Sequence, residues 1–380
     1  MLPSSSTQSF LRLALALVAM TGLAVPAAAQ SVPTGRQEYF VLAFDQHVWD
    51  MMDKVQNGQG GAQFVDGMNS VVTATASADN QVIYYDHWED GLEADVLSPV
   101  QVSTLVIGDG NPANGDACDF NNDVCGVDLL MRGSFVNFAS NQGLGGGCTV
   151  PSADPSLTGL CLSVPVNPRC AGACTAAEVR FDGGDLIETT GGPLSLIHNQ
   201  DPLTQFIGGA TEILSRQAVE AARSYSVPVG EDLYVANSPT EPFHYVDLNL
   251  VAFEDGTQVL VDSPGETPVA FTLDRGEHWS SLGFIDDGAF NASLLLTINA
   301  GTKISTSAPV AGLLFTGGDG TFATRHYALL PDILHSTDYV LTAPGDDPAA
   351  GPGGSPTDRP LVAYIFNPDP FNAIDVQVTD

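Results

Sequence analysis

Val246-Asp247-Leu248-Asn249-Leu250-Val251-Ala252-Phe253-Glu254-Asp255-Gly256-Thr257-Gln258-Val259-Leu260-Val261 is the stretch that decides the fold class. Val246, Leu248, Leu250 and Ala252 alternate with Asp247 and Asn249, the two-residue period of a strand. Glu254-Asp255-Gly256 supplies turn chemistry, and Val259 and Val261 lie on its far side. The pattern predicts a β-hairpin with one buried face. Earlier in the chain, Val72, Ala74 and Ala76 alternate with Thr73, Thr75 and Ser77 ahead of Asp79-Asn80 in the same arrangement.

The likeness extends beyond the turns. Ala252 to Val261 leads to Gly301-Thr302-Lys303-Ile304-Ser305-Thr306, then to Pro309-Val310, Leu330-Pro331-Asp332-Ile333-Leu334 and Tyr339. Ala76 to Tyr85 leads in the same order to Gly184-Asp185-Leu186-Ile187-Glu188-Thr189-Thr190, Pro193-Leu194, Ile213-Leu214 and Tyr225. A fixed order of landmarks predicts one duplicated supersecondary unit. Between equivalent landmarks the first copy is longer by 59 residues. A loop of that length is seldom structureless in a compact domain, which predicts an insertion with its own fixing points.

Further strand candidates are Tyr39 to Phe44, Leu294 to Ile298, Val310 to Phe315, Tyr339 to Thr342, Leu361 to Phe366 and Ile374 to Val378. Helix is scarce: one short segment through Val48, Trp49, Met52 and Val55 capped by Asp45, and another over Gln217 to Arg223. With 39 Gly and 25 Pro as punctuation, the fold class is all-β. Its expected form is two duplicated β-sandwich-like units with a disulfide-rich insertion in the first. The expected layout is a signal peptide over 1–29 and a first repeat over 30–240, with the insertion at about 108–176. A second repeat covers 241–345, a Gly/Pro-rich linker 346–359, and the start of a further strand pair 360–380, where the chain stops in mid-pattern.

The N-terminus carries Arg12, an apolar run from Leu13 to Val25 and the small residues Ala27-Ala28-Ala29. That is the layout of an export signal, and the run is too short to span a bilayer. The expected location is therefore secreted or at the cell surface. All six cysteines (Cys118, Cys125, Cys148, Cys161, Cys170 and Cys174) fall in the insertion. An even number confined to one segment of an exported chain predicts a disulfide framework, and 15 pairings are open. Cys118 with Cys125 and Cys170 with Cys174 are plausible local bridges.

Twelve Lys and Arg face 45 Asp and Glu, a net charge of -33, which excludes a nucleic-acid partner. Two readings of the acidity remain, a solvated anionic surface and calcium binding by clustered oxygens. The first metal candidate is the loop from Asp109 to Asp123, in which Asp109, Asn111, Asn114 and Asp116 alternate with glycines and small residues. The same residues also make polar turns, and no glutamate closes the loop as an EF-hand requires. The second is Tyr84-Tyr85-Asp86-His87-Trp88-Glu89-Asp90-Gly91, where Asp86, Glu89 and Asp90 offer carboxylates and Asp90-Gly91 offers a turn. No HExxH, Gly-x-Ser-x-Gly or phosphate-binding loop occurs, so no catalytic motif points to an enzyme.

The Tyr84 to Gly91 stretch, Gly108-Asp109-Gly110-Asn111-Pro112, Phe181-Asp182-Gly183-Gly184-Asp185 and Val227-Pro228-Val229-Gly230-Glu231-Asp232 resemble the N-terminal region of large secreted or surface proteins. The second copy, with Thr272-Leu273-Asp274-Arg275-Gly276-Glu277 and Ile304 to Gly312, is similar to the IgGFc-binding protein N-terminal domain. The resemblance covers most of Gly35 to Asp380. It implies a β-rich extracellular module of adhesion or surface display, with a cell-surface protein or glycan as partner. It implies no catalytic residues. Carbohydrate binding through Trp49, Trp88 or Trp279, and hydrolysis by Asp86, Glu89 and Asp90, are the alternatives.

Overall fold

A computed structural model describes residues 35–335 and residue 367, apart from 45–46, 49–50, 53–54, 56–67, 102, 112–113, 115–117, 120–123, 126–127, 143–149, 152–160, 163–179, 203–207, 236–242, 286–288 and 319–323. The expectations for the signal peptide, the linker and the last strand pair lie outside the described residues. The described chain is mostly β-strand with little helix.

The strands run in the order β1 (Arg36–Phe40), β2 (Met68–Ala76), β3 (Val82–Asp86), β4 (Leu105–Ile107), β5 (Cys118–Asp119), β6 (Val124–Cys125), β7 (Phe135–Gln142), β8 (Val150–Pro151) and β9 (Cys161–Leu162). They continue as β10 (Leu186–Thr190), β11 (Leu194–Pro202), β12 (Gly209–Glu212), β13 (Ser224–Ser226), β14 (Tyr245–Ala252), β15 (Thr257–Asp262) and β16 (Val269–Leu273). The last are β17 (His278–Ser280), β18 (Leu282–Ile285), β19 (Ala289–Leu295), β20 (Lys303–Thr306), β21 (Val310–Gly317) and β22 (Thr324–Ala328). The α-helix α1 (Arg216–Val219) is capped by Ser215, whose hydroxyl accepts from the Ala218 N–H. It is shorter than the predicted Gln217 to Arg223. His47, Val48, Met51, Met52 and Val55 are also helical and fully buried, as the apolar spacing there predicts.

Four small antiparallel sheets result, disposed like the blades of a four-bladed propeller, but the chain does not finish one before starting the next. Sheet I has the order β1-β10-β3-β4 and sheet II the order β12-β11-β2-β7. Sheet III is β13-β20-β15-β16 and sheet IV is β19-β18-β17-β14-β21-β22. The order of sheets III and IV repeats that of sheets I and II strand for strand, with β18 and β19 added at one edge.

Local details recur with the order. The β2–β3 turn has Asn80 at φ 57° where the β14–β15 turn has Gly256 at φ 68°. Gly184 donates its N–H to the Val41 carbonyl at 2.9 Å, and Gly301 does the same to Val227 at 2.9 Å. Gly133 donates to Ala76 at 2.8 Å as Gly276 does to Ala252 at 2.9 Å. These glycines have φ between 79° and 109°, the left-handed region that favours glycine.

Neither predicted hairpin forms. β14 pairs with β17 and β21, whereas β15 pairs with β16 and β20 in another sheet. β2 and β3 are likewise divided between sheets II and I. Alternation and a turn fix the two strands but not their partners, because a crossing from sheet to sheet needs the same residues as a hairpin. The expectation of one buried face for β14 is also corrected: Val246 to Ala252 are all buried.

Sheet IV lies between two others. Trp279 of β17, directly opposite Leu250, stacks on Phe271 of sheet III with ring centroids at 4.7 Å. On the other face Phe253 packs on Phe40 of sheet I at 5.4 Å. Sheet I is shared too. Tyr39, Ile83, Tyr85 and Ile187 pack with Val72, Ala74, Phe138 and Leu196 of sheet II, while Phe40, Leu42 and Leu186 join the core around sheet IV.

Candidate functional site

The site is built where β3 ends. Its apolar side chains Ile83 and Tyr85 hold the strand in the core, and Asp86, at its last position, is fully buried. His87 leads into a single 3-10 turn over Trp88–Asp90, which Gly91 ends at φ 89°. The facing partner is the Asp182-Gly183-Gly184-Asp185 turn before β10. A Cβ on Gly183 would stand 2.1 Å from the Ala43 backbone, so only glycine lets this turn approach so closely.

Asp185 joins the two segments. Its Oδ2 accepts from the Tyr85 hydroxyl at 2.6 Å and the Asp182 N–H at 3.1 Å, and its Oδ1 accepts from the Trp88 N–H at 3.2 Å. His87 Nδ1 lies 2.6 Å from the Arg180 carbonyl, which only accepts, so this nitrogen carries a proton and donates. It also lies 3.6 Å from Asp185 Oδ2. Glu89 Oε1 takes the Arg180 N–H at 2.7 Å. Burial works against a charged His87, but Asp185 and then Glu89 and the Arg180 carbonyl outweigh it and raise its pKa to about 9. The ring is thus an imidazolium held between two buried carboxylates.

The other acids of the stretch hold different segments. Asp86 accepts from the Glu93 N–H at 2.7 Å and the Thr104 hydroxyl at 3.1 Å. Burial raises its pKa to about 7 despite those bonds. Asp90 takes the Ser103 hydroxyl, and Glu93 Oε1 takes the N–H groups of Val100 and Gln101 at 2.6 Å each. The predicted ligand trio Asp86, Glu89 and Asp90 is therefore spread over three sets of partners. The structure instead groups Glu89 with His87 and Asp185, whose ligand atoms all lie within 4.8 Å of one another. Sequence reasoning missed Asp185 as a site residue because it lies 99 positions beyond Asp86, across the insertion. Its signal was the Gly183-Gly184 pair beside it.

The Asp109 loop is a second oxygen-rich place. Asp109 Oδ1 accepts from the Asn111 N–H at 2.8 Å and Oδ2 from Asn114 Nδ2 at 3.1 Å. Asp128, not foreseen from the sequence, closes it from beneath by accepting from the N–H groups of Gly108 at 2.7 Å and Asp109 at 3.2 Å. The Asp109 and Asp128 carboxyls hydrogen-bond each other: burial and that contact push Asp128 up, while at Asp109 burial, the largest single effect, is outweighed by the hydrogen bonds from Asn114, Asn111 and Asp128, which together hold it down. Asn114 Oδ1 is buried without a hydrogen-bond partner. Asp116 lies outside the described residues.

Cys118 stands directly opposite Cys125 in the β5–β6 pair, and Cys161 opposite Pro151 in β8–β9. Cys148, Cys170 and Cys174 lie outside the described residues, as does Trp49. Trp88 is 2% exposed and Trp279 is fully buried, so neither offers a stacking platform to a sugar. Comparison of the chain with known protein families, with characterised proteins and with solved structures gives no match.

Proposed function

We propose that this chain is an exported, internally duplicated β-sandwich scaffold with a structural or adhesive role in a secreted or cell-surface protein. The observation that carries the reading is the repeat of one strand order in sheets I–II and III–IV, with positive-φ residues at matching turns. Duplication of a unit extends a surface and a shared core. The densest polar stretch supports the same reading, because Asp86, His87, Glu89 and Asp90 each bond a backbone or hydroxyl group inside the protein. Asp86 is sealed from solvent, which gives a hydrolytic role no route for substrate.

Calcium belongs to this proposal. Asp109, Asn111, Asn114 and Asp116 would hold it with Asp128 behind them, the cation taking the place of the proton between the two carboxyls and using the orphaned Asn114 oxygen. The Asp86, Glu89 and Asp90 group is the lesser candidate, since its three carboxylates are directed to separate sets of protein donors and not to one point. In the insertion, the register of β5 and β6 supports a Cys118–Cys125 bridge, because antiparallel partners bring Cα atoms to a disulfide's span. The expected partner is a cell-surface protein or glycan, the class that the sequence resemblance implies.

The test couples the oxidised chain from Gln30 to beads and measures retention on glycan arrays and on cell-surface protein fractions, in calcium and in EDTA. Retention on either class, stronger in calcium, is expected. Turnover of a soluble glycan or peptide without retention would contradict a scaffold role.

A further inference from the structure

Two buried histidines flank the seam between sheets II and IV. β12, an edge of sheet II, lies along β22, an edge of sheet IV. Gly209 of β12 is so close to His326 of β22 that a Cβ there would stand 2.4 Å from the imidazole Cδ2. Two residues on, on the same face of β12, Thr211 stands directly opposite His198 of β11. His198 Nδ1 donates to the Leu42 carbonyl at 3.0 Å and its Nε2 lies 2.8 Å from the Ser70 hydroxyl, which can serve either protonation state of the ring. The His326 ring sits edge-on to Phe315 with centroids at 4.4 Å, its Nε2 3.3 Å from the Thr324 hydroxyl. His198 is 1% and His326 8% exposed.

Among the described residues, the charged and titratable groups around this seam are engaged elsewhere. From β14, Asp247 is held by Ser280, Ser281 and Asn249, and His47 of the buried helical segment is bonded to Asn249. Asp185 is held by Tyr85, Trp88 and Asp182. His278 of β17 lies between the carbonyls of Val41 and Gly276. Glu212 and Arg325, each one residue from a seam-facing position, belong to the opposite faces of β12 and β22, and Asp201 is exposed. The charge that His326 would meet on protonation is a second imidazolium, on His198.

We infer that the seam is an acid-released joint, in which protonation charges His198 and His326 against each other and parts β12 from β22. Burial, the larger effect at both rings, lowers His198 to about 4 and His326 to about 3, with repulsion from His198 adding at His326. The joint therefore stays shut at neutral pH.

Hydrogen exchange of the whole chain, followed by mass spectrometry from pH 7.5 down to 3.5 and corrected for intrinsic rates, tests this. Protection in β11, β12 and β22 is expected to fall at least tenfold before that of β3, β10 and β15. In His326→Leu the opening moves down by about one pH unit, the order of shift a neighbouring like charge produces. Loss of protection everywhere in a single step would overturn the joint. Imidazole titration of the wild-type chain by NMR gives a second readout that needs no variant. Midpoints below 5 for both rings are expected, and an ordinary value near 6.5 for either one overturns the proposal.

Discussion

Asp185 accepts three hydrogen bonds and faces an imidazolium, all without solvent. Removing it leaves His87 as a buried charge short of its main counter-ion, which costs about 3–5 kcal/mol in comparable buried pairs. Asp185→Ala is therefore expected to lose that much in urea unfolding, and a loss below 1 kcal/mol would show that the cluster is not holding the two segments. The pH profile separates its members. Asp86 rises in the fold from 3.8 to about 7, so its contribution is present below pH 4 and is lost as pH rises through 7. His87 rises from 6.5 to about 9, so its contribution is complete below 6.5 and is lost through 9. Asp86→Asn should flatten the decline of stability between pH 4 and 7, and His87→Gln the decline between 6.5 and 9. Unchanged slopes in either variant would contradict the assignment. Tyr84 to Gly91 was legible in the sequence as the densest polar stretch. Its partners were not, because Asp185, Arg180 and Thr104 reach it through the fold and leave no local pattern.

At the scale of elements, the turns test the equivalence of the two sheet pairs. Gly256 at φ 68° and Asn80 at φ 57° occupy the same place, and a left-handed conformation costs most L-residues roughly 1–2 kcal/mol. Gly256→Ala is expected to lose that amount, and Asn80→Gly to be neutral or slightly stabilising, both by thermal melting. A destabilising Asn80→Gly would mean that the asparagine has a further role in its turn. The β2, β3, β14 and β15 segments could be read from alternation, since half-buried strands show the period. The pairing could not, because a hairpin and a crossing between sheets both need two alternating runs and a turn. β14 misled for a related reason. Asp247 and Asn249 look like a solvated face, yet they are fully buried and bonded to Ser280, Ser281 and His47. A buried polar layer has the same two-residue period as an exposed one.

On the scale of the whole molecule, the two sheet pairs are tied by charge and by β1 with the segment after it, which packs into both cores. Arg216 is 2% exposed and reaches Glu38 of β1 at 3.4 Å and Glu254 of the β14–β15 turn at 2.6 Å. Arg275, before β17, meets Glu38 at 2.7 Å, and Arg36 of β1 pairs with Glu188 of β10. Three of the chain's 12 basic side chains are committed here, so the net charge of -33 is carried largely by carboxylates outside the network. Glu38→Ala leaves Arg216 and Arg275 short of an anion, and a loss of about 3–5 kcal/mol is expected from urea unfolding. An effect near zero would show that the remaining acids satisfy both guanidiniums. Calcium makes a separate expectation, since a cation bound only by the folded chain raises the melting temperature with its concentration. That rise should disappear in Asp109→Asn and Asp128→Asn.

The central claim is that two sheet pairs of one design are fused into one folding body through β1, the segment after it and the Glu38 network. Urea unfolding of the whole chain, followed by pulsed hydrogen exchange in segments of sheets II and III, tests it most directly. The account predicts one transition, with β2, β11, β15 and β20 losing protection at the same urea concentration. Two separated transitions, one for each sheet pair, would contradict it.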